Sequence, residues 1–205
     1  MKLSLVPILW LAIALVAGFE LFATSLVLRP NVGATYRAYY IDKSSDCWPH
    51  ETPANYTLGQ TLTFIDGPGV RFDENKICGW FYPNDKGTWS YGRYSLLRFR
   101  FPPPGGALTL TLTAGAMVTP AHPRQDVAVS INGAALTTLS FDSVEPQSRT
   151  VVIPAALAAQ GATGLELRFD YPDARPGTEL GPNEDSHLRA LRMLSLTLQA
   201  TSSGS

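Results

Sequence analysis

Two kinds of hydrophobic pattern divide this chain. Residues 3–28 are apolar throughout except for hydroxyls and one formal charge, Glu20. A run of this length exceeds the ~20 residues that cross a bilayer as a helix, and Pro7 falls near the helix start, where its missing N–H is tolerated. Beyond residue 90 the period changes to two. Leu97, Phe99 and Phe101 alternate with Leu96, Arg98 and Arg100, and Leu108, Leu110 and Leu112 alternate with Thr109, Thr111 and Thr113. Val127, Val129 and Ile131 continue the pattern up to Asn132-Gly133, a strong hairpin signal, with a returning strand over 135–141. Further strands are predicted over 61–65, 70–72, 150–153, 165–170 (Leu165, Leu167 and Phe169 inward) and 191–199 (Leu194, Leu196 and Leu198 inward), with a helical turn over 155–160. Residues 34–41, A-T-Y-R-A-Y-Y-I, also have strand composition.

These elements define an all-β fold, an antiparallel two-sheet jelly-roll sandwich of roughly eight to ten strands, preceded by one N-terminal transmembrane α-helix. The boundaries read as 1–30 for the anchor with a short N-terminal tail, 31–200 for an extracytoplasmic sandwich and 201–205 for a low-complexity, disordered tail. A cleaved signal peptide is the alternative for the first segment. Its apolar region is usually about 7–15 residues long and ends in an A-x-A-like site. Here the nearest small-x-small triplet, Ala23-Thr24-Ser25, is followed by more apolar residues, so an uncleaved span is expected.

Interrupting the strands, residues 79–92 read G-W-F-Y-P-N-D-K-G-T-W-S-Y-G and directly follow Cys78. Turn residues break any hydrophobic period here, so the segment is a loop carrying Trp80, Phe81, Tyr82, Trp89 and Tyr91. Flat rings with polar tips either cover the apolar face of a sugar or plug the end of a sandwich, and both readings stay open. Trp80, Trp89 and Tyr91 are candidate sugar faces, with Asn84, Asp85, Glu184, Asp185 and Arg189 as hydrogen-bonding groups. Trp80, tied to the cysteine, is expected to be the more buried of the two tryptophans. Arg189 has a plainer alternative, pairing with Asp185 to pin the last strand.

Composition removes several classes. A net charge of −1 and the lack of a Lys/Arg run interleaved with aromatics exclude a phosphate-backbone binder, so no nucleic-acid partner is expected. Cys47 and Cys78 are the only cysteines and show no metal spacing. An isolated pair flanking a loop-rich segment reads most simply as a disulfide, which implies an oxidising compartment such as a periplasm or the cell exterior; two unpaired buried thiols are the alternative. The charges flanking the apolar run do not settle its orientation, because Lys2 stands on one side and Arg29, Arg37 and Lys43 on the other. Asn55-Tyr56-Thr57 fits the N-glycosylation pattern, a pattern common by chance. No nucleophile motif, carboxylate pair or metal set is legible, and His50, His122 and His187 lie far apart, so the chain is read as a non-enzyme. No cofactor is expected, although Asp and Glu with loop carbonyls leave a structural Ca²⁺ open.

The order of motifs resembles a group of extracytoplasmic jelly-roll domains, similar to carbohydrate-binding modules, that accompany bacterial membrane glycosyltransferases and polysaccharide-synthesis systems. That group shows G-W-x-x-P-E, then G-x-W-x-x-G, a v-x-v-N-G hairpin, L-G, and D-x-R-x-L-G before the last strand. The matching residues are Gly79, Trp80 and Pro83; Gly87, Trp89 and Gly92; Val127, Val129, Asn132 and Gly133; Leu180-Gly181; and Arg189 and Leu191. Asn84 replaces the group's acid, with Asp85 next to it, His187 replaces the final aspartate and Arg192 the last glycine. The resemblance implies a non-catalytic accessory subunit, anchored in a bacterial inner membrane beside a multi-pass glycosyltransferase or polysaccharide synthase, its sandwich contacting the glycan. A purely structural membrane subunit and a glycan-modifying envelope enzyme are the alternatives. Within the span, a charge at Glu20 is costly against lipid, so the face carrying Ala17, Glu20 and Thr24 is expected to meet a partner helix.

Overall fold

The computed structural model describes residues 5–28, 31–42, 47 and 53–201. They fall into two compact units, residues 1–45 and 46–205. In the first, helix α1 (Leu5–Leu28) carries the apolar run. Its 24 residues rise about 36 Å, enough to cross a ~30 Å hydrocarbon core. Ala17, Glu20 and Thr24 are exposed along it.

Residues 34–41 correct the sequence reading. They form helix α2 (Ala34–Tyr36), continued by a wider π-helical turn over Arg37–Ile41, not a strand. A strand must spend its backbone groups on a neighbour, and the described residues of this unit contain none. The groups bond locally instead: Arg37 N–H donates to Gly33 O (3.0 Å) and Asp42 N–H to Arg37 O (2.9 Å).

The second unit is a two-sheet jelly-roll sandwich. One sheet holds β1 (Ala54–Asn55), β4 (Lys76–Cys78), β6 (Tyr94–Arg100), β8 (Gln125–Ile131), β9 (Ala134–Phe141) and β11 (Leu165–Asp170) in the order β1-β6-β11-β8-β9, with β4 also on β6. The other holds β2 (Thr61–Thr63), β3 (Val70–Arg71), β5 (Thr88–Trp89), β7 (Leu108–Ala116), β10 (Gln147–Ile153) and β14 (Leu191–Ala200) in the order β10-β7-β14-β2-β3, with β5 also on β14. A two-stranded ribbon, β12 (Arg175–Pro176) with β13 (Leu188–Arg189), leads into β14. The sheets are mixed: the long pairs are antiparallel, and only the short pairs β1–β6 and β2–β3 run parallel. A one-turn helix, α3 (Ala155–Ala158), follows β10.

The alternating residues face each other between the sheets. Leu97, Phe99, Val127, Val129, Ile131, Leu167 and Phe169 of one sheet and Leu108, Leu110, Leu112, Leu196 and Leu198 of the other are buried in one core. Asn132 (φ 47°) and Gly133 (φ 81°) make the β8–β9 turn in the left-handed conformation that such hairpins require. In β14 the expected inward set is partly wrong. The register shifts between Met193 and Ser195, so Leu191 and Met193 are buried and Leu194 is not. An extra residue in a bulge turns every later side chain to the other face.

Cys47 and Cys78 form a disulfide. With Ile77 and Leu96, and with Tyr94 against them, they make a small apolar cluster on the outer side of β6, separate from the main core.

Candidate functional site

The aromatic segment is folded back on itself and fastened to the sandwich. Gly79 (φ 77°) begins it, and a β-carbon there would stand 2.0 Å from Tyr94 O, a place only glycine can occupy. The Gly79 carbonyl accepts from Tyr91 N–H (2.7 Å) and from the Ser95 hydroxyl, which in turn accepts from Tyr171 OH (3.0 Å). Phe81 N–H donates to Trp89 O (2.9 Å), and the tip closes with Asn84 N–H to Gly87 O (3.2 Å). Ser90 then ties the returning limb to β14: its N–H donates to Leu191 O (2.7 Å), while its hydroxyl accepts from Ala190 N–H (2.9 Å) and Leu191 N–H (3.1 Å). The segment is thus a short hairpin laid against the last strand, with Asp85 and Lys86 at its tip.

Its two tryptophans differ. Trp80 is 5% exposed and lies among Phe64 (5.3 Å between ring centroids), Phe72 (5.9 Å) and Phe169 (6.2 Å). Its indole N–H donates to Leu96 O (3.2 Å). A ring enclosed in this way has no face for a ligand, which removes Trp80 from the candidate sugar-facing set. Trp89 is half-buried and opposes Arg192 across the β5–β14 pair.

Trp89 lines a cleft of about 360 Å³ together with Asn84, Asp85, Lys86, Val144, Leu180, Glu184 and Arg192. Four separate stretches meet there: the hairpin, the 142–146 connection, the loop that follows β12 and the start of β14. Of the residues singled out from sequence, Trp89, Asn84, Asp85 and Glu184 are brought together. Tyr91 and Asp185 do not line the cleft. Tyr91 packs instead on Phe81 (4.9 Å) and His187 (4.9 Å).

Arg189 stands behind the cleft rather than in it. It is 7% exposed, and Nη1 donates to Glu184 Oε2 (2.8 Å) and Nη2 to Asp185 Oδ2 (2.9 Å). Its guanidinium lies over the rings of Phe81 (4.9 Å) and Trp89 (5.9 Å). The pairing with Asp185 noted as the plainer reading is therefore the geometry found. Partial burial works against the charge on Asp185, but the backbone N–H of His187, the hydrogen bond and charge of Arg189 and the His187 side chain outweigh it and hold its pKa below the ordinary value. A general acid for glycoside cleavage needs the opposite shift. Among the described residues no group of three or more His, Cys, Asp or Glu side chains converges, and the two adjacent acids, Glu184 and Asp185, already face a guanidinium.

Sequence reasoning passed over Arg192 and Lys86 as site residues. Arg192 donates from Nη2 to Val144 O (2.9 Å), its guanidinium lies 5.6 Å from the centre of the Trp89 ring, and its Nε is buried without a partner. The signal was available, since Arg192 stands where the resembling group has glycine. Also exposed on the hairpin is Tyr82, at 88%, with Lys76 Nζ 5.2 Å from its ring centre.

No protein-family model matches the sequence, and no curated protein does. Solved structures that resemble the fold include a family 36 carbohydrate-binding domain of a xylanase from the hindgut metagenome of Trinervitermes trinervoides (12% identity, 58% of this chain, 80% of that one, TM-score 0.35). A family 35 carbohydrate-binding module from an environmental isolate matches at 12% identity over 79% of this chain and 91% of its own, with a TM-score of 0.37. The family 35 module from Clostridium thermocellum matches at 8% identity over 67% and 98%, with a TM-score of 0.38. Likeness at this level concerns the outline of the sandwich and says nothing about ligand or site.

Proposed function

We propose that this chain is a non-catalytic, membrane-anchored subunit whose jelly roll contacts glycan at the Trp89 cleft, serving a multi-pass polysaccharide synthase or glycosyltransferase. The observation that carries this reading is the cleft itself. One aromatic ring, an amide (Asn84), a free acid and base at the hairpin tip (Asp85 and Lys86) and a partly unsatisfied guanidinium (Arg192) converge on a recess of about 360 Å³. A ring for an apolar sugar face, with mixed donors and acceptors around it, suits a polyhydroxylated ligand. The walls are fixed by backbone hydrogen bonds, so little ordering cost falls on binding.

Three further features support the setting. Helix α1 is long and apolar enough to hold the chain in a bilayer. The disulfide favours an oxidising side of that membrane, in keeping with the reading of the sandwich as lying in the periplasm or cell exterior of a bacterial inner-membrane protein. The face of α1 bearing Ala17, Glu20 and Thr24 offers a partner helix small residues and one carboxyl.

The test is twofold. The intact chain in detergent is applied to an array of bacterial envelope glycans, and its native complex is isolated under mild solubilisation. Glycan binding lost in Trp89→Ala, together with a co-purifying membrane glycosyltransferase, is expected. Co-purification without any glycan signal would favour a purely structural subunit.

A further inference from the structure

We propose that the helical segment Ala34–Ile41 is an interfacial collar, whose tyrosines lie in the lipid headgroup layer on the side of the membrane where α1 ends. This rests on α1 being retained as a span. Three tyrosines fall within five positions, and their rings form a continuous cluster: Tyr36–Tyr40 centroids are 4.5 Å apart and Tyr39–Tyr40 centroids 4.8 Å. Tyr36 is 45% exposed and Tyr40 39%, with Ile41 exposed beside them. No residue of Arg37–Ile41 is buried. An aromatic cluster left at the surface is what the membrane interface selects, because each ring has an apolar body and a polar hydroxyl tip.

Chain length supplies the second argument. Five residues, 29–33, separate the end of α1 from Ala34. Even fully extended, that connector places Ala34 no more than about 20 Å from Leu28, within reach of the headgroup layer, which adds only several Å beyond the hydrocarbon. Backbone chemistry supplies the third. The segment closes its own hydrogen bonds as a helix, the form a peptide must take where water is scarce. The occupant is thus the bilayer surface itself, and the collar would fix the depth and tilt of α1.

The test uses the full chain in phosphatidylcholine nanodiscs, with the photo-crosslinker benzoylphenylalanine placed singly at Tyr40, at Leu28 and at Tyr82. N-terminal sequencing of the membrane-bound chain establishes first that α1 is retained. Lipid adducts at position 40 approaching those at 28, and several-fold above those at 82, are expected. Adducts at 40 as scarce as at 82, or crosslinks from 40 to protein alone, would overturn the collar while leaving the glycan reading intact. A Tyr36→Ser/Tyr39→Ser/Tyr40→Ser variant should still insert through α1 but lose amide-exchange protection over 34–41; unchanged protection would equally count against it.

Discussion

Gly177 leaves room for the buried guanidinium of Arg189 and no more: a β-carbon on Gly177 would stand 3.0 Å from Nε, 3.1 Å from Cζ and 2.7 Å from Asp185 O. The loop after β12 is therefore shaped around a cation held flat between backbone and the rings of Phe81 and Trp89. Arg189→Ala should loosen this loop and cost about 2 kcal/mol. That is below the ~3–5 kcal/mol of a fully buried pair, since Glu184 and Asp185 are part-exposed and can rehydrate. Arg189→Lys should not restore it, because an ammonium lacks the planar fork that meets two carboxylates. Gly177→Ala should act in the same direction. Urea denaturation with amide exchange over 177–189 reads all three, and wild-type protection in Arg189→Ala would refute the account.

The tryptophans should separate stability from binding. Trp80→Ala opens a cavity among Phe64, Phe72 and Phe169 and removes a buried hydrogen bond, with an expected loss of about 3–5 kcal/mol. Trp89→Ala, at a half-buried position, should cost about 1 kcal/mol and abolish glycan retention. Thermal melts paired with array binding check both, and equal destabilisation would return Trp89 to a purely packing role.

Why the strands were legible and the site only partly so follows from the range of the forces. Period-two alternation in β8 and β11 and the Asn132-Gly133 turn are local, so they can be read without knowing the partner strand. The bulge at Leu194 and the helical form of 34–41 depend on neighbours present or absent, which local pattern does not encode. Trp80 could be told from Trp89 by its place two residues after Cys78, and it is the more buried ring; what encloses it, the packing of Phe64 and Phe169, is distant in the chain. Arg192 entered the cleft through strand pairing, opposite Trp89, a relation that no spacing reveals.

The disulfide closes a separation of 31 residues, and chain entropy predicts about 3.5 kcal/mol of stabilisation. Cys47→Ser should lower the melting temperature under non-reducing conditions, and wild type with reductant should approach the same value. A melt insensitive to reductant, with peptide mapping showing free thiols, would remove the argument for an oxidising compartment.

Acid should weaken the loop late. The folded pKa of Asp185 is depressed below its ordinary 3.8, so its contribution is fully present above that value and is lost as pH falls through the lower folded value. Stability of the segment should stay flat from neutral pH to about 4 and decline below it. Asp185→Asn should remove part of this decline. Denaturation midpoints compared near pH 7 and pH 3 test it, and an unchanged slope in Asp185→Asn would assign the acid sensitivity elsewhere.

Glu20 makes the remaining prediction. It lies about 5 Å from the midpoint of α1 by helical rise, which, with α1 as the proposed span, is well inside a ~30 Å hydrocarbon core. A carboxylate there costs at least about 2.5–3.5 kcal/mol on insertion scales. A hydroxyl, amide or basic group from another helix would reduce that cost. Ala17 and Thr24, on the same face, would let such a helix come close. Glu20→Leu should then insert at least as well as wild type but lose the co-purifying membrane partner, whereas Glu20→Gln, which keeps the hydrogen-bonding capacity, should retain part of it. If Glu20→Leu inserted normally and carried any co-purifying partner undiminished, the docking role of this face would fall and α1 would be a tether alone.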